Sequence, residues 1–279
     1  MSRAIPFNIV KVAADGVTHT PDVVAAEEPL EIKLGYGSAD NRRRKSLSVT
    51  MRTPGHDFEL ALGFLLTEGI VSGEADIKHI KYCRDEKGEL SPNVVRVELS
   101  ESLPFDFAQF ERHFYTNSSC GVCGKASIES LTQMCPTPLP VNSTVSKDVI
   151  TSLPGLMRES QDVFEHTGGL HAAGLFSFNG DMLLLREDIG RHNAVDKVMG
   201  ASMEHRSQTS DLILMLSGRS CFELIQKAAV AGVSVVASVG APSSLALQTA
   251  KDLGITLIGF LRNDTFNIYS LPQRISGIE

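Results

Sequence analysis

Apolar residues recur along this chain at two periods, and the pattern changes near its middle. Leu47, Val49 and Met51 alternate with polar residues, which predicts a half-buried strand ended by Thr53–Gly55. From about Asp57 the spacing lengthens. Phe58, Ala61, Leu62 and Leu65 fall at i, i+3, i+4 and i+7 on one helix face, with Gly69 placed as a C-terminal stop. Residues 78–83 and 94–99 then flank a charged turn containing Gly88. Val95, Val97 and Leu99 alternate with Arg96 and Glu98, the signature of a hairpin. These elements make residues 1–115 a small α+β domain, closed by a connector carrying Phe107, Phe110 and Phe114.

Residues 116–145 read as a loop and linker, with a short helical pattern at Ile128 and Leu131 and three prolines within residues 135–144. From Ser146 helices and strands alternate. Ser146 suits a helix cap and Pro154 the first turn of a following helix. Residues 173–185 predict a hairpin with a type I′ turn at Asn179-Gly180. Helices over 190–199, 219–231 and 243–253 then alternate with strands over 212–216, 233–238 and 255–260. That order and the apolar strands predict an α/β domain over 146–279, a parallel or mixed sheet covered by helices.

Composition narrows the function classes. Hydrophobic residues make up 42% of the 279, and the formal charge of −7 argues against a general attraction to nucleic acid. The one basic run, Arg42 to Lys45, is either a solvated strand end or a docking patch for an acidic partner. No membrane span is expected, because the apolar region Ala228 to Ala241 is interrupted by Gly232 and Ser234 and stopped by Pro242. Met1 to Ala13 lack the apolar core of a signal peptide, so a cytoplasmic location is expected. Five unevenly spaced cysteines are no disulfide framework, and Cys83, Cys135 and Cys221 read as small core or surface residues.

Cys120 and Cys123 stand apart as a C-x-x-C pair between glycines. Structural zinc requires four ligands, and with a single such pair it would need distant ones such as His171 or His192. A redox pair normally follows a strand and opens a helix, whereas the preceding residues here are polar. A nucleophilic sulfur is the third reading. Lys125 and a helix starting near Ser127 favour a thiolate, and Gly121 and Gly124 give it reach. Elsewhere, residues 186–198 gather Glu187, Asp188, Arg191, His192, Asp196 and Lys197. They form either an acid–base cluster or a surface salt-bridge lattice. His171, in an apolar context, reads as a core histidine or a ligand. The strand-to-helix junctions 216–221 and 238–244 offer N–H groups, serines and Arg219 to an anion, or simply cap their helices.

Taken in order, residues 120–124 (CGVCG), 167–173 (TGGLHAA), 187–197 (EDIGRHNAVDK), 217–228 (SGRSCFELIQKA) and 259–274 resemble the FdhD family from about Glu28 to Arg274. The resemblance implies a cytidine-deaminase-like three-layer α/β/α domain and a homodimer. It implies a sulfurtransferase that accepts sulfur from a cysteine desulfurase as a persulfide. The sulfur then passes to the molybdenum or tungsten bis-guanine-dinucleotide cofactor, making the catalytic subunit of formate dehydrogenase active. The motif's first cysteine falls on Cys120, the expected carrier, and its second on Cys123. The family's cofactor-binding stretch falls on Phe260, Leu261, Arg262, Asn263, Asp264 and Thr265. That stretch is more basic and contains glycine in the family; here Asn263-Asp264 stand in its place. Ser217, Arg219 and Ser243 complete the expected nucleotide-binding set, the guanine pyrophosphates being anions suited to helix N-termini. Zinc deaminases place a histidine motif before P-C-x-x-C, whereas Cys120 and Cys123 come first and follow no proline, so no catalytic zinc is expected. A cofactor-binding chaperone without sulfur chemistry and a zinc nucleotide deaminase are the competing functions.

Overall fold

The computed structural model describes residues 2–107, 138–203 and 211–279; Cys120 and Cys123 lie outside the described residues. Strands β1 (Ala4–Ala13) and β2 (Gly16–Ala25) pair as a two-stranded antiparallel ribbon. Phe7, Val12 and Val17 remain exposed on it. Strands β3 (Glu28–Tyr36), β4 (Arg43–Arg52), β5 (Ile77–Arg84) and β6 (Leu90–Leu99) form a sheet in the order β4-β3-β6-β5. The β5–β6 pair is the expected hairpin, with Gly88 at φ 80° in its turn.

The strand over Leu47–Met51 is present but does not bury the face its alternation predicts. The register against β3 shifts between Ile32 and Lys33, and Leu47 has no cross-strand partner. This bulge turns Leu47 into the core while Val49 and Met51 face solvent. Helix α1 (Asp57–Thr67) follows, and it ends as expected at Gly69, which sits at φ 69°. The amide of Ile70 returns to the Leu65 carbonyl at 2.9 Å, closing the last turn. Leu60 and Leu66 are buried together with Ala61 and Leu65, so α1 hides more than the one stripe its period announced.

The second half contains β7 (Val145–Ser146), α2 (Lys147–Glu159), α3 (Asp162–Thr167), β8 (His171–Ser177) and β9 (Met182–Asp188). It continues with α4 (Arg191–Ala201), β10 (Leu212–Leu216), α5 (Phe222–Val230), β11 (Val235–Ser238) and α6 (Ser244–Asp252). Strands β12 (Thr256–Arg262), β13 (Thr265–Ile268) and β14 (Ile275–Ser276) close the chain. Six strands form one mixed sheet in the order β13-β12-β11-β10-β8-β9, with β10, β11 and β12 parallel.

Alternate residues of this sheet sort into two cores. Leu214, Leu216, Val236 and Leu257 pack with α4, α5 and α6, while Ile213, Met215, Val235 and Ile258 pack with Ile150, Leu153 and Met157 of α2. The result is the expected three-layer α/β/α arrangement. The first of these cores also takes in Leu30, Ile32, Val95 and α1, so one apolar cluster runs from the four-stranded sheet to the six-stranded one. Among the described residues no helix is long and apolar enough to cross a membrane.

Two local expectations are corrected. Pro154 does not open a new helix; it lies inside α2, which starts at Ser146, whose hydroxyl accepts from the Asp148 amide at 3.2 Å. The buried stripe Ile150, Leu153 and Met157 holds the helix together across the hydrogen bond that proline removes. The β8–β9 hairpin does not use a type I′ turn. Gly180 has φ 92° while Asn179 keeps a negative φ, and the Gly180 amide bonds to Ser177 O at 3.0 Å. Three residues, 178–180, span the turn, so glycine alone takes the left-handed position.

Candidate functional site

The two strand-to-helix junctions come together at the carboxyl edge of the six-stranded sheet. Leaving β10 and β11, they run side by side: Val239 N–H bonds to Leu216 O at 3.1 Å, and Gly240 N–H to Gly218 O at 3.2 Å. Ser220 N–H bonds to Ala241 O at 3.3 Å and Ser243 N–H to Ser220 O at 3.0 Å. A side chain at Gly240 would stand 2.9 Å from the Arg219 backbone, so only glycine allows this approach. Phe260 joins them from β12 through its amide, which bonds to Gly240 O at 3.1 Å. Ser217, Arg219, Ser243 and Phe260, scattered over 44 positions of sequence, thus share one edge, where open α/β sheets gather ligands.

The rest of the expected 260–265 stretch divides. Leu261 is buried against the α2-side core and presents no side chain to solvent. Arg262 pairs with Thr265 across a β12–β13 turn whose tip is Asn263-Asp264, all four exposed, with Asn263 at φ 53°. The apolar pattern gave no sign of β13. Ser243 does cap α6, its hydroxyl accepting from Ala246 N at 3.2 Å, so capping is part of its work. Ser217 accepts from the Ala172 amide at 2.8 Å and stitches β10 to β8.

Beside this edge lies a cavity of about 490 Å³ between α2, α3 and the starts and ends of the strands. Arg158, Phe164, His171, Ser217 and Val239 line it, and the Arg158 guanidinium lies 4.5 Å from the Phe164 ring centre. His171 is half-buried and packs over Gly218, where an added Cβ would meet its Nδ1 at 3.2 Å. Burial, together with the Arg191 cation, moves its pKa below the usual value, so its neutral form is favoured. His171 is therefore a wall of the cavity rather than a core histidine.

The charged run 186–198 is neither an acid–base cluster nor a surface lattice. Glu187, Asp188, Asp196 and Lys197 are 3%, 0%, 2% and 1% exposed. Lys197 Nζ lies 2.7 Å from Asp188 Oδ2 and donates to Thr53 O at 2.8 Å, while Asp188 also accepts from Thr53 N and Asn193 Nδ2. Glu187 accepts the Val163 and Phe164 amides at the start of α3. Asp196 turns to Lys227 at 3.0 Å and to the Thr67 hydroxyl at 2.7 Å. These groups join α4 to β4, α1 and α5, and Glu187, Asp188, Asp196 and Lys197 each find partners at short range.

Of that run, His192 and Arg191 face Cys221 and Glu223 at the start of α5. For His192 the geometry is close. Its Nε2 lies 3.4 Å from Cys221 Sγ and 4.0 Å from Glu223 Oε2. Burial, with Arg191 and Lys227 nearby, pulls His192 down to about 4, so it is neutral at pH 7. Burial and Glu223 push the Cys221 thiol up, so it too is neutral. Cys221 is thus a half-buried, protonated thiol set against His192. The signal was present in sequence only as two helix-opening residues 29 positions apart.

Comparison with known proteins bears on the family and the fold. The model of the FdhD/NarQ family matches residues 25–276. The chain is 44% identical over 274 residues to a protein of Nocardia farcinica named sulfur carrier protein FdhD, covering 97% of this chain and 94% of that one. A Mycolicibacterium paratuberculosis protein of the same name is 49% identical, with 91% and 92% covered. One from Thermoplasma volcanium is 45% identical, with 93% and 91% covered. The fold is similar to the crystal structure of a candidate formate dehydrogenase accessory protein from Desulfotalea psychrophila. The TM-score is 0.72 at 24% identity, over 98% of this chain and 100% of that one. Family matching across 25–276 and identities above 40% over nine-tenths of both chains leave one conclusion: the chain belongs to the FdhD/NarQ family.

Proposed function

We propose that this protein is a sulfur carrier that receives sulfur on Cys120 from a cysteine desulfurase. It then delivers that sulfur to the molybdenum or tungsten bis-guanine-dinucleotide cofactor that formate dehydrogenase requires. The observation that carries the reading is the meeting of Ser217, Arg219, Ser243 and Phe260 at one sheet edge, beside the cavity under His171, in a chain whose relatives are named sulfur carriers.

The chemistry suits the parts. In loading, a thiolate attacks the sulfane sulfur of the donor's persulfide. A new S–S bond forms, the donor cysteine leaves as thiolate, and no oxidant is consumed. The acceptor is a substrate with pyrophosphates, to which the amides opening α5 and α6 and the exposed Arg219 offer positive potential. With a formal charge of −7 on the whole chain, that attraction is local to the edge. Cys123 stands as partner thiol, and the same reading places the protein in the cytoplasm as a homodimer.

Intact mass spectrometry after anaerobic incubation with a cysteine desulfurase and cysteine tests the proposal. The expected result is a gain of one sulfur atom that Cys120→Ala abolishes, with guanine-nucleotide binding retained in the variant. If Cys120→Ala still supports formate dehydrogenase activation, the protein is a cofactor chaperone and the carrier role fails.

A further inference from the structure

We infer that His192, Cys221 and Glu223 form a zinc-binding site, separate from the Cys120–Cys123 pair and independent of the sulfur-carrier reading. Their donor atoms all lie within 4.8 Å of one another. Ligands around tetrahedral zinc, at bond lengths of about 2.0–2.3 Å, stand about 3.4–3.6 Å apart. The His192 Nε2–Cys221 Sγ distance of 3.4 Å already matches that separation, and the 4.0 Å to Glu223 Oε2 closes with a small rotation of an exposed carboxylate.

Each ligand is fixed by a rigid element. His192 is the second residue of α4, Cys221 the N-cap of α5, and Glu223 the second residue of α5. The Cys221 sulfur faces the Leu224 amide, the Glu223 carboxylate and Arg191 at the start of α5. The donor set also balances charge: a neutral imidazole, a thiolate and a carboxylate offset the two positive charges of the ion. Three protein ligands leave a fourth position for solvent or an anion. Arg191 lies against the same sulfur, and its Nε is buried without a hydrogen-bond partner among the described residues, which favours an anion there.

The site is not that of a hydrolytic deaminase. Those enzymes carry a general acid/base glutamate two residues after the ligating histidine. Here that position is Ala194, so bound zinc has no such proton shuttle. The ion would bind and orient a ligand, or lock α4 to α5.

The test uses the full chain carrying Cys120→Ser and Cys123→Ser, so that the C-x-x-C pair cannot supply thiolates. Anaerobic titration with Co²⁺, a spectroscopic stand-in for zinc, is followed by absorption and then by Zn²⁺ displacement. Expected are one site per chain, tetrahedral visible bands and a thiolate-to-cobalt charge-transfer band, all lost on adding zinc. Cys221→Ser, nearly isosteric and checked by circular dichroism, should remove the charge-transfer band. His192→Ala should weaken binding by at least the ~10–100-fold that loss of an outer-shell partner costs. Absence of saturable binding, binding without a thiolate band, or a band surviving Cys221→Ser would each overturn the site. Because neither Cys120 nor Cys123 is present, none of these results bears on sulfur carriage.

Discussion

Gly63 and Gly200 face each other where α1 crosses α4. A Cβ at Gly63 would lie 1.7 Å from the carbonyl oxygen of Asp196, and one at Gly200 would lie 1.9 Å from that of Glu59. Both obstacles are backbone, so no rotamer change relieves them. Alanine at either position would gain about 1 kcal/mol of helix propensity. Forcing two buried helices apart costs more, about 3 kcal/mol. We therefore expect Gly63→Ala and Gly200→Ala each to lower unfolding free energy by a net ~2 kcal/mol or more in urea titrations. An unchanged midpoint for both would mean that the helices are not in contact at this crossing.

Lys227 stands next to the same crossing. Its ammonium contacts both Asp196 oxygens, Glu68 Oε1 and the Thr67 hydroxyl at 2.9–3.1 Å. Burial opposes its charge, but the Asp196 and Glu68 carboxylates outweigh that and hold its pKa above the usual value. Lys227→Met leaves Asp196 as a buried carboxylate without its cation, a loss of about 3–5 kcal/mol. Adding Asp196→Leu removes the orphaned charge, so the double variant should recover a large part of the loss. Equilibrium denaturation of the four members of this cycle checks it; strict additivity would show that the two groups do not interact.

These clamps were invisible in sequence for a physical reason. Period-two alternation sorts a strand between two cores, and β10 at Leu212–Leu216 and β8 obey it, so the sheet was legible. Ser146 and Ser243 were legible as caps because a hydroxyl and an amide two or three residues away settle the matter locally. Asp188, Asp196 and Lys197 find partners at Thr53 and Thr67, more than 120 residues earlier, so their local charge density suggested a surface. Val49 and Met51 missed the core through a bulge at Leu47 that no local pattern encodes. At the candidate site, Ser217, Arg219 and Ser243 were legible because strand-to-helix junctions recur at sheet edges. The Cys221–His192 contact was not, since it depends on how α4 and α5 pack.

Pro154 gives a prediction of opposite sign. It sits in the interior of α2, where proline forfeits a backbone hydrogen bond and crowds the preceding turn. Alanine restores both, offset by about 0.4–1 kcal/mol from the greater freedom of the unfolded chain. We expect Pro154→Ala to raise stability by about 1–2 kcal/mol, read as a higher melting temperature. Because Pro154 also lines the cavity under His171, guanine-nucleotide affinity measured in parallel reports whether the proline ring shapes that cavity. A fall in melting temperature would show that the ring's packing outweighs the hydrogen bond it forfeits.

Glu59 links α1 to β9 through Arg186, whose Nη2 donates to its Oε1 at 2.8 Å, and it also meets His56 Nδ1 at 3.0 Å. Burial alone would raise its pKa, but the Arg186 and His56 contacts outweigh burial and bring it down to about 2. A carboxyl whose folded pKa is depressed stabilises the fold fully above its unfolded value, near 4.5. That contribution is lost as the pH falls from there through about 2. Discounted for solvent screening of a partly exposed pair, it amounts to about 1–2 kcal/mol at pH 7. Glu59→Gln should thus be less stable than the parent at pH 7 and pH 6 by that margin. The gap should shrink steadily between pH 4.5 and pH 3 in urea titrations. Added salt should narrow it at neutral pH as well, since the pair is not fully enclosed. A gap constant from pH 7 to pH 3 would mean that Glu59 acts by shape and hydrogen bonding, which glutamine preserves in part, and not by its charge.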